Sequence, residues 1–394
     1  MNHSEVLEIK KRFTKTAVSA HRVTGCYVTG EDKQIRTYVD EMFLNLEEEE
    51  QFKYMELMKK SLSGTMGKNL LNLSFTNEAE LEGGVQRSLV ALRDSELKSQ
   101  EMLDAFYSRV IENYDFAGNY LILLVYDAYD VPVKTEDNIK LGDSEEVYSY
   151  VLCMICPVNL SKPGLSYHEE ENKIANRTRD WVVDAPETAF LFPAFNDRST
   201  DLHNLLYYVK DTDELHEELI NEVLGCEEKI PSDKQKKAFK EIVTEVLNEV
   251  PEYDTFEIVK AMNDTLNEMT DDLLVEEPVM LNKDGVKDLF LKSGLKEEHL
   301  EVVEEKFTEA VGAEAELEAE SLTDKKKFEV KTNDVHIQVK PENSDLIEVR
   351  ILDGRKCLVI PMDVDVEVNG IVRRIQEEFA EQEEQDDTKA DFVS

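Results

Sequence analysis

The sequence predicts an α+β protein, and three observations support this class. Helical patterns alternate with apolar strand patterns over residues 1–210, amphipathic helices dominate residues 211–325, and short strands return after residue 325. We therefore predict four parts, which are a mixed α/β domain over 1–210, an acidic helical region over 211–325, a small β-hairpin element over 326–375, and a disordered acidic tail over 376–394.

The first elements are predicted from short periodic patterns. Val6, Ile9 and Phe13 recur at helical spacing and predict a short helix over residues 1–22. The helix predicted over 47–62 begins with four glutamates, which complement the positive end of the helix dipole. The same approach predicts strands at 25–28 and 70–75 and helices at 84–92 and 99–111.

The centre of the first domain is predicted from its apolar runs. Residues 118–129 include NYLILLVYDAY, which is typical of a strand buried on both faces. A polar loop separates it from a second apolar strand at 147–157, so the two form an antiparallel pair. Residues 181–195 are expected to form strand and loop against this sheet, and residues 202–209 either a helix or a strand.

The acidic region has apolar residues three and four positions apart, which predict helices at 214–224, 232–250, 255–266, 283–293 and 295–311. The alanine-rich run near residue 315 is either a solvated helix or a linker. Strands are predicted at 335–339, 347–352 and 357–360. Asp353 and Gly354 join the last two in a type I′ hairpin turn, which needs positive φ at both central positions.

The charge is large and unevenly distributed. The chain has 86 acidic and 45 basic residues, a formal net charge of −41. Residues 1–70 carry 11 of each sign, whereas residues 211–320 carry 33 acidic against 11 basic residues. Such a surface repels phosphate, so direct nucleic-acid binding is disfavoured. The sequence has no long apolar run and no regular cysteine pattern. We therefore expect a cytoplasmic protein that does not enter a membrane.

One stretch has the composition of a small-molecule pocket. Residues 180–201 combine an aromatic run with charged side chains, and polar groups at the edge of an aromatic wall are typical of ligand sites. The alternative is that the aromatic residues belong to the core. The candidate ligand-binding residues are Trp181, Asp184, Asp197, Arg198 and Asp201.

A second candidate is a phosphate-binding loop at Gly64, Gly67 and Lys68. The pattern departs from the known phosphate loop because Leu62 stands where a glycine is needed and Asn69 follows the lysine. A helix end followed by a tight turn is the favoured interpretation.

The remaining motifs predict no chemistry. Cys153 and Cys156 are three residues apart on a strand, so their thiols point to opposite faces and do not form a metal site. Asp127 and Asp130 end an apolar strand, but acidic pairs are common in this composition. We assign no catalytic residue, no metal and no cofactor, and we interpret the chain as more consistent with a binding protein than with an enzyme.

Several segments together resemble a bacterial family. It is a family of anaerobic Gram-positive bacteria known as a domain of unknown function, and it implies no activity or site. The segments are TGCYV (24–28), LSGTMGKNL (62–70), LRDSELK (92–98), GNYLILLVYDAYDVP (118–132), SYVLCMICPVNLSKPGLSY (149–167) and FPAFNDRST (192–200).

The order of elements is similar to that of the nucleoid-associated family NdpA. This order consists of a mixed sheet unit, a helix ending at Leu224 and Gly225, further helices, a hairpin, and a final helix that contains Arg373 and Arg374. The similarity implies protein partners such as topoisomerases. We therefore expect a non-enzymatic protein that binds a protein partner through its acidic helices, at the nucleoid or by mimicking DNA charge. The sequence does not indicate its oligomeric state, and a small-molecule binding protein or enzyme is the alternative.

Overall fold

The computed structural model describes residues 1–14, 20–134, 140–227, 229–270, 278–323, 327–332, 334–361, 366–368 and 371–373. The chain forms two compact units, Met1–Ala238 and Phe239–Ser394. The tail predicted over 376–394 lies outside the described residues. The domain boundaries predicted at residues 210 and 325 stay predictions.

The first unit combines five α-helices with twelve strands in its described residues. The helices are α1 His3–Lys10, α2 Glu48–Ser61, α3 Asn77–Glu80, α4 Val85–Asp94 and α5 Gln100–Asn113. A π-helix follows at Leu219–Leu224. The strands are β1 Arg22–Thr29, β2 Gln34–Met42, β3 Leu70–Ser74, β4 Asn119–Lys134, β5 Lys140–Leu160, β6 Leu165–His168, β7 Lys173–Asn176, β8 Trp181–Val183, β9 Thr188–Phe192, β10 Ala194–Asn196, β11 Ser199–Asp201 and β12 Asn204–Val209.

The first helix is shorter than predicted. Asn2 and Glu5 form a capping box at its start, and α1 ends at Lys10 instead of extending to residue 22. The chain is already in strand conformation at Arg22, where β1 pairs with β4. Sheet pairing therefore takes residues that the helical pattern alone would have included.

One antiparallel sheet organises this unit. Its strand order is β2-β1-β4-β5-β9-β12-β3, and β8 pairs with the end of β5 beyond β9. The predicted antiparallel pairing of β4 with β5 is confirmed, with Ile122 opposite Ile155. Residues 204–209, for which the sequence allowed either state, form a strand.

Both faces of the sheet are covered. In β4, Tyr120, Ile122 and Leu124 enter one core, while Leu121 and Leu123 enter the other. This confirms the prediction of a strand buried on two faces. Cys153 and Cys156 lie in different cores, as their spacing predicts. Helices α1 and α2 supply the core that also holds Leu121, and α4 and α5 supply the other.

The second unit packs helices around its own core, which includes Val246, Met262, Phe290 and Phe307. Its helices are α6 Ser232–Glu249, which starts in the first unit, α7 Thr255–Thr270, α8 Lys283–Lys292, α9 Leu300–Val311 and α10 Ala319–Leu322. Its strands are β13 Met280–Leu281, β14 Leu317–Glu318, β15 Phe328–Lys331, β16 His336–Val339, β17 Glu348–Leu352, β18 Arg355–Val359, β19 Val366–Val368 and β20 Ile371–Arg373. The α+β class is confirmed.

The turn between β17 and β18 has the predicted conformation. Asp353 and Gly354 have φ angles of 50° and 75°, and Leu352 pairs with Arg355. Positive φ at both central residues is the requirement of a type I′ turn. Across the described ranges, no helix combines the length and apolar character needed to cross a membrane.

Candidate functional site

A buried polar cluster joins α1 to the central strands. The guanidinium Nη2 of Arg12 lies 3.1 Å from Oδ2 of Asp127, whose side chain is 1% exposed. The hydroxyl of Tyr150 donates to the same oxygen at 2.8 Å. The backbone N–H of Ala128 donates to Oδ1 at 2.9 Å. The carboxylate that ends the apolar run is therefore buried and held by an ion pair and hydrogen bonds.

A second ion pair extends this cluster towards the surface. Arg198 donates through Nε and Nη2 to both carboxylate oxygens of Glu8, at 3.1 and 3.0 Å. It also donates to the backbone carbonyl of Pro132 at 2.8 Å. Tyr129 links the two pairs, because its ring lies 4.2 Å under Arg12 and its hydroxyl donates to Glu8. The hydrogen bond with Glu8 raises the pKa of Arg198.

An open cleft of about 300 Å³ lies beside this second pair. It is lined by Asn2, Ser4, Glu5, Glu8, Asp197 and Arg198. Glu8 is held by Arg198, and Glu5 accepts the backbone N–H of Asn2 in the helix cap. The lining carries three carboxylates and one guanidinium, which suits a small polar molecule with a positive group. Within this lining no hydroxyl or thiol is paired with a base.

The turn between β10 and β11 places two of the predicted residues at this cleft. Asp197 and Arg198 have φ angles of 51° and 58°, and the flanking residues Asn196 and Ser199 pair across the hairpin. Positive φ is uncommon for residues other than glycine, although aspartate adopts it more readily than arginine. The turn therefore directs Arg198 towards Glu8 through a backbone conformation that costs about 1–2 kcal/mol at Arg198.

Asp201 has a structural role in the same hairpin. Its Oδ2 accepts from the side-chain amides of Asn196 at 2.5 Å and Asn204 at 2.7 Å, and its Oδ1 accepts from the backbone N–H of His203. Partial burial acts to raise the pKa of Asp201, but these hydrogen bonds outweigh it and lower the pKa.

Trp181 and Asp184 do not join Arg198. Trp181 lies on β8 opposite Leu160 and is 55% exposed, and Asp184 accepts a hydrogen bond from Asn159. Arg198 instead contacts Pro132, which pairs with Ser144 at the other end of β5. A strand rises about 3.3 Å per residue, so the two groups lie tens of ångströms apart. Hence the five predicted residues do not line one pocket. The aromatic residues Phe190, Phe192 and Phe195 are buried in the core.

The backbone of the loop that contains Gly64, Gly67 and Lys68 makes hydrogen bonds within the loop. The backbone N–H of Gly67 donates to the carbonyl of Leu70, and the N–H of Lys68 donates to Thr65. Nζ of Lys68 lies 3.2 Å from Asp233. These contacts favour a helix end and tight turn over a phosphate site. No group of three metal-ligating side chains occurs in the described part of the chain.

The acidic helices meet in a ladder of carboxylates. Glu241, Glu245 and Glu249 recur every four residues on α6, and Glu301, Glu305 and Glu309 do so on α9. Nζ of Lys306 lies between the two rows, 3.1 Å from Glu309, 3.4 Å from Glu249 and 3.8 Å from Glu245. The contact with Glu309 raises the pKa of Lys306 to about 12, with a further contribution from Glu249. We call these six glutamates the acidic ladder.

Three members of the acidic ladder carry no ion pair. Glu241, Glu301 and Glu305 are exposed, and no cation contacts them among the residues that the structure describes. Like charges four residues apart on a helix destabilise it by about 0.2–0.5 kcal/mol per pair. The excess of acidic residues over 211–320 predicted an acidic helical surface, whereas the four-residue spacing, which is visible in the sequence, could have identified these six residues. The pairing of Glu8 with Arg198, 190 positions apart, had no such signal.

The comparison with protein families has one result that covers nearly the whole chain. The model of a domain of unknown function, DUF4317, matches residues 1–371. No curated protein matches the chain. Since the family model spans all the elements described above up to β20, the chain belongs to the DUF4317 family.

Proposed function

We propose that this protein is a non-enzymatic binding protein that engages a basic protein partner through the acidic ladder. The observation that carries the proposal is the set of exposed glutamates on two helices that have no ion pair within the described residues, with Lys306 held between the rows. This arrangement is unfavourable in the free protein. A partner with lysine or arginine side chains would relieve the repulsion.

The charge of the acidic ladder favours a partner with a basic surface, such as a protein that normally binds nucleic acid. Four residues of helix rise about 6 Å, so each row presents roughly one carboxylate per 6 Å along its helix. The similarity in element order to NdpA agrees with a partner at the nucleoid, such as a topoisomerase. DNA itself is disfavoured as a ligand by the charge of −41.

The setting of this function is part of the proposal. We place the protein in the cytoplasm of anaerobic Gram-positive bacteria, as the sequence resemblance implies. Four of its five free cysteines are buried, which agrees with a compartment that keeps thiols reduced.

The test compares two variants with the same change in net charge. Glu241→Gln, Glu301→Gln and Glu305→Gln together remove charge from the acidic ladder, and Glu56→Gln, Glu101→Gln and Glu112→Gln do so on exposed positions of the first unit. Tagged proteins are used to recover partners from nuclease-treated extract of the host, and the proteins are quantified by mass spectrometry. We expect the ladder variant to lose at least tenfold of the bound partner and the control variant to retain it.

Two features make the result interpretable. Removing like charges should leave the ladder variant at least as stable as the unmodified protein, so lost binding would not reflect unfolding. Raising salt from about 50 to 500 mM should also weaken the complex steeply, because the Debye length is only about 10 Å at 0.1 M and shrinks further. Equal recovery by both variants, or a complex indifferent to salt, would contradict the proposal.

A second candidate function is the binding of a small cationic or zwitterionic molecule in the cleft beside Glu8. Its support is the pair Asp197 and Arg198, both held at positive φ on the rim. Free amino acids and polyamines would be tested for thermal stabilisation of the protein. Asp197→Asn should reduce the shift without altering the melting temperature of the free protein. No shift with any of these compounds would remove this candidate.

A further inference from the structure

A two-stranded ribbon projects from the main sheet. It begins where Leu160 pairs with Trp181, and the backbone N–H of Ser161 donates to the carbonyl of Asp180 at 2.8 Å. Further out, the N–H of Arg177 donates to the carbonyl of Gly164 at 2.9 Å. Strands β6 and β7 continue the pairing to a turn at residues 169–172. We call residues 160–183 the ribbon.

One face of the outer ribbon is apolar and exposed. Leu165, Tyr167 and Ile174 are 72%, 58% and 63% exposed. Tyr167 lies directly opposite Ile174, and Leu165 is two residues from Tyr167, so the three side chains share a face. Ser166 and Ala175, on the other face, are half-buried. A group of large apolar side chains on the surface is typical of an interaction site.

The two ends of the ribbon carry opposite charge. The turn has Glu169, Glu170 and Glu171, with Lys173 beside Glu171 as its cation. The end near the sheet instead has an excess of cations, which are Lys162, Arg177 and Arg179 against Asp180. All of these residues are exposed. The ribbon is therefore apolar in its middle, negative at its tip and positive at its base.

We propose that the ribbon binds the ribbon of a second copy of this chain, antiparallel and around a two-fold axis. In that arrangement the apolar faces meet, and each negative tip lies beside the positive base of the other copy. An isologous interface requires a surface that is complementary to itself, and the ribbon satisfies this in both charge and apolar character. A parallel arrangement would instead bring tip to tip and base to base.

The interface is small, so its stability should depend on concentration. A ribbon two strands wide offers less than the roughly 800 Å² per partner of a standard interface. We expect a monomer–dimer equilibrium that is detectable within about 1 μM to 1 mM, the range of weak specific complexes.

Charge reversal tests whether attraction between oppositely charged ribbon ends holds the dimer together. Lys162→Glu with Arg177→Glu makes both ends negative, and Glu169→Lys with Glu170→Lys makes both ends positive. Each variant alone should be monomeric, because tip and base then repel. An equimolar mixture should form a heterodimer, since every tip meets a base of opposite sign. Analytical ultracentrifugation of the full chain, with native mass spectrometry of the mixture, distinguishes these species.

Substitutions on the apolar face test its role. Tyr167→Asp with Ile174→Asp should abolish the dimer, whereas Leu44→Asp with Leu81→Asp, at positions 63% and 64% exposed, should leave it unchanged. A monomer for the unmodified chain at all concentrations would overturn the proposal. So would a dimer that survives either charge reversal alone, or one that is equally weakened by the Leu44 and Leu81 control.

Discussion

Arg12 and Asp127 form an ion pair at 3.1 Å between α1 and the central strand β4, and the carboxylate is almost fully buried. A charge removed from water in this way is tolerated because its partner and two further hydrogen bonds compensate it. The pair therefore fastens the first helix to the sheet, and its stability depends on both members being present.

The first prediction concerns this pair. Arg12→Met leaves Asp127 buried without its cation and should lower the free energy of unfolding by about 3–5 kcal/mol. Arg36→Met is the control, because Arg36 and Asp32 form an ion pair at the surface and its loss should cost at most about 1 kcal/mol. Urea denaturation measures both. Similar losses in the two variants would contradict the structural role given to Arg12.

The second prediction concerns Gly225, which ends the π-helix with φ at 64°. A Cβ atom at this position would lie 2.7 Å from Cβ of Ala79. Gly225→Ala should therefore combine backbone strain of about 1–2 kcal/mol with overpacking of about 1–3 kcal/mol. Gly83 has φ at 85°, but a Cβ atom there would have no neighbour within 4 Å, so Gly83→Ala should show the backbone strain alone. Ala79→Gly should therefore lower the free energy of unfolding by about 1 kcal/mol in the unmodified protein, because it places glycine in a helix, but by less when it is added to Gly225→Ala, because it removes the overlap.

The third prediction concerns Glu304. Hydrogen bonds from Lys283 and then Lys287 lower the pKa of this carboxyl to about 2. Because the folded-state pKa lies below the ordinary value of 4.5, the stabilisation is present above pH 4.5 and is lost as the pH falls towards 2. Carboxyl carbon chemical shifts measure the pKa. Lys283→Met with Lys287→Met should return it to the ordinary range, and an unchanged pKa in that variant would contradict the assignment.

The fourth prediction concerns thiol reactivity. Burial raises the pKa of Cys26 and of Cys156 to about 12, and it also raises the pKa of Cys153 and Cys226. Cys357 is the half-buried one of the five. At about pH 8, the thiol of Cys357 should react with a disulfide reagent at least roughly a hundredfold faster than the other four thiols. Cys357→Ser should remove this fast phase, and denaturant should make the remaining thiols reactive.

Elements whose whole sequence signal lies in adjacent residues were the most predictable part of the fold. The apolar run in β4 and the Asp353–Gly354 turn each contain the whole signal locally, since burial and turn geometry act on adjacent residues. Strand β2 was missed because most of its side chains are exposed and give no alternation. The strand order also follows from pairing between distant segments, which a single sequence does not encode locally.

The functional surface could be predicted only as a region of concentrated acidic charge over residues 211–320. The residues of the acidic ladder were not identified, although their four-residue spacing is visible in the sequence. The aromatic-rich segment predicted one pocket, but β8 and the β10–β11 turn, which are neighbours in sequence, lie at opposite ends of the long strand β5. Nearness in sequence does not imply nearness in space when the chain crosses a sheet between the two segments.

The central strands separate two hydrophobic cores and contribute side chains to both. Side chains from one strand alternate between them, with Ile122 on one side and Leu123 on the other. Inserting one residue into β4 would turn each following side chain of that strand to the opposite face, so both cores would receive the wrong side chains. Neither layer can therefore assemble or come apart independently, and both should gain or lose protection from hydrogen exchange as a single cooperative event.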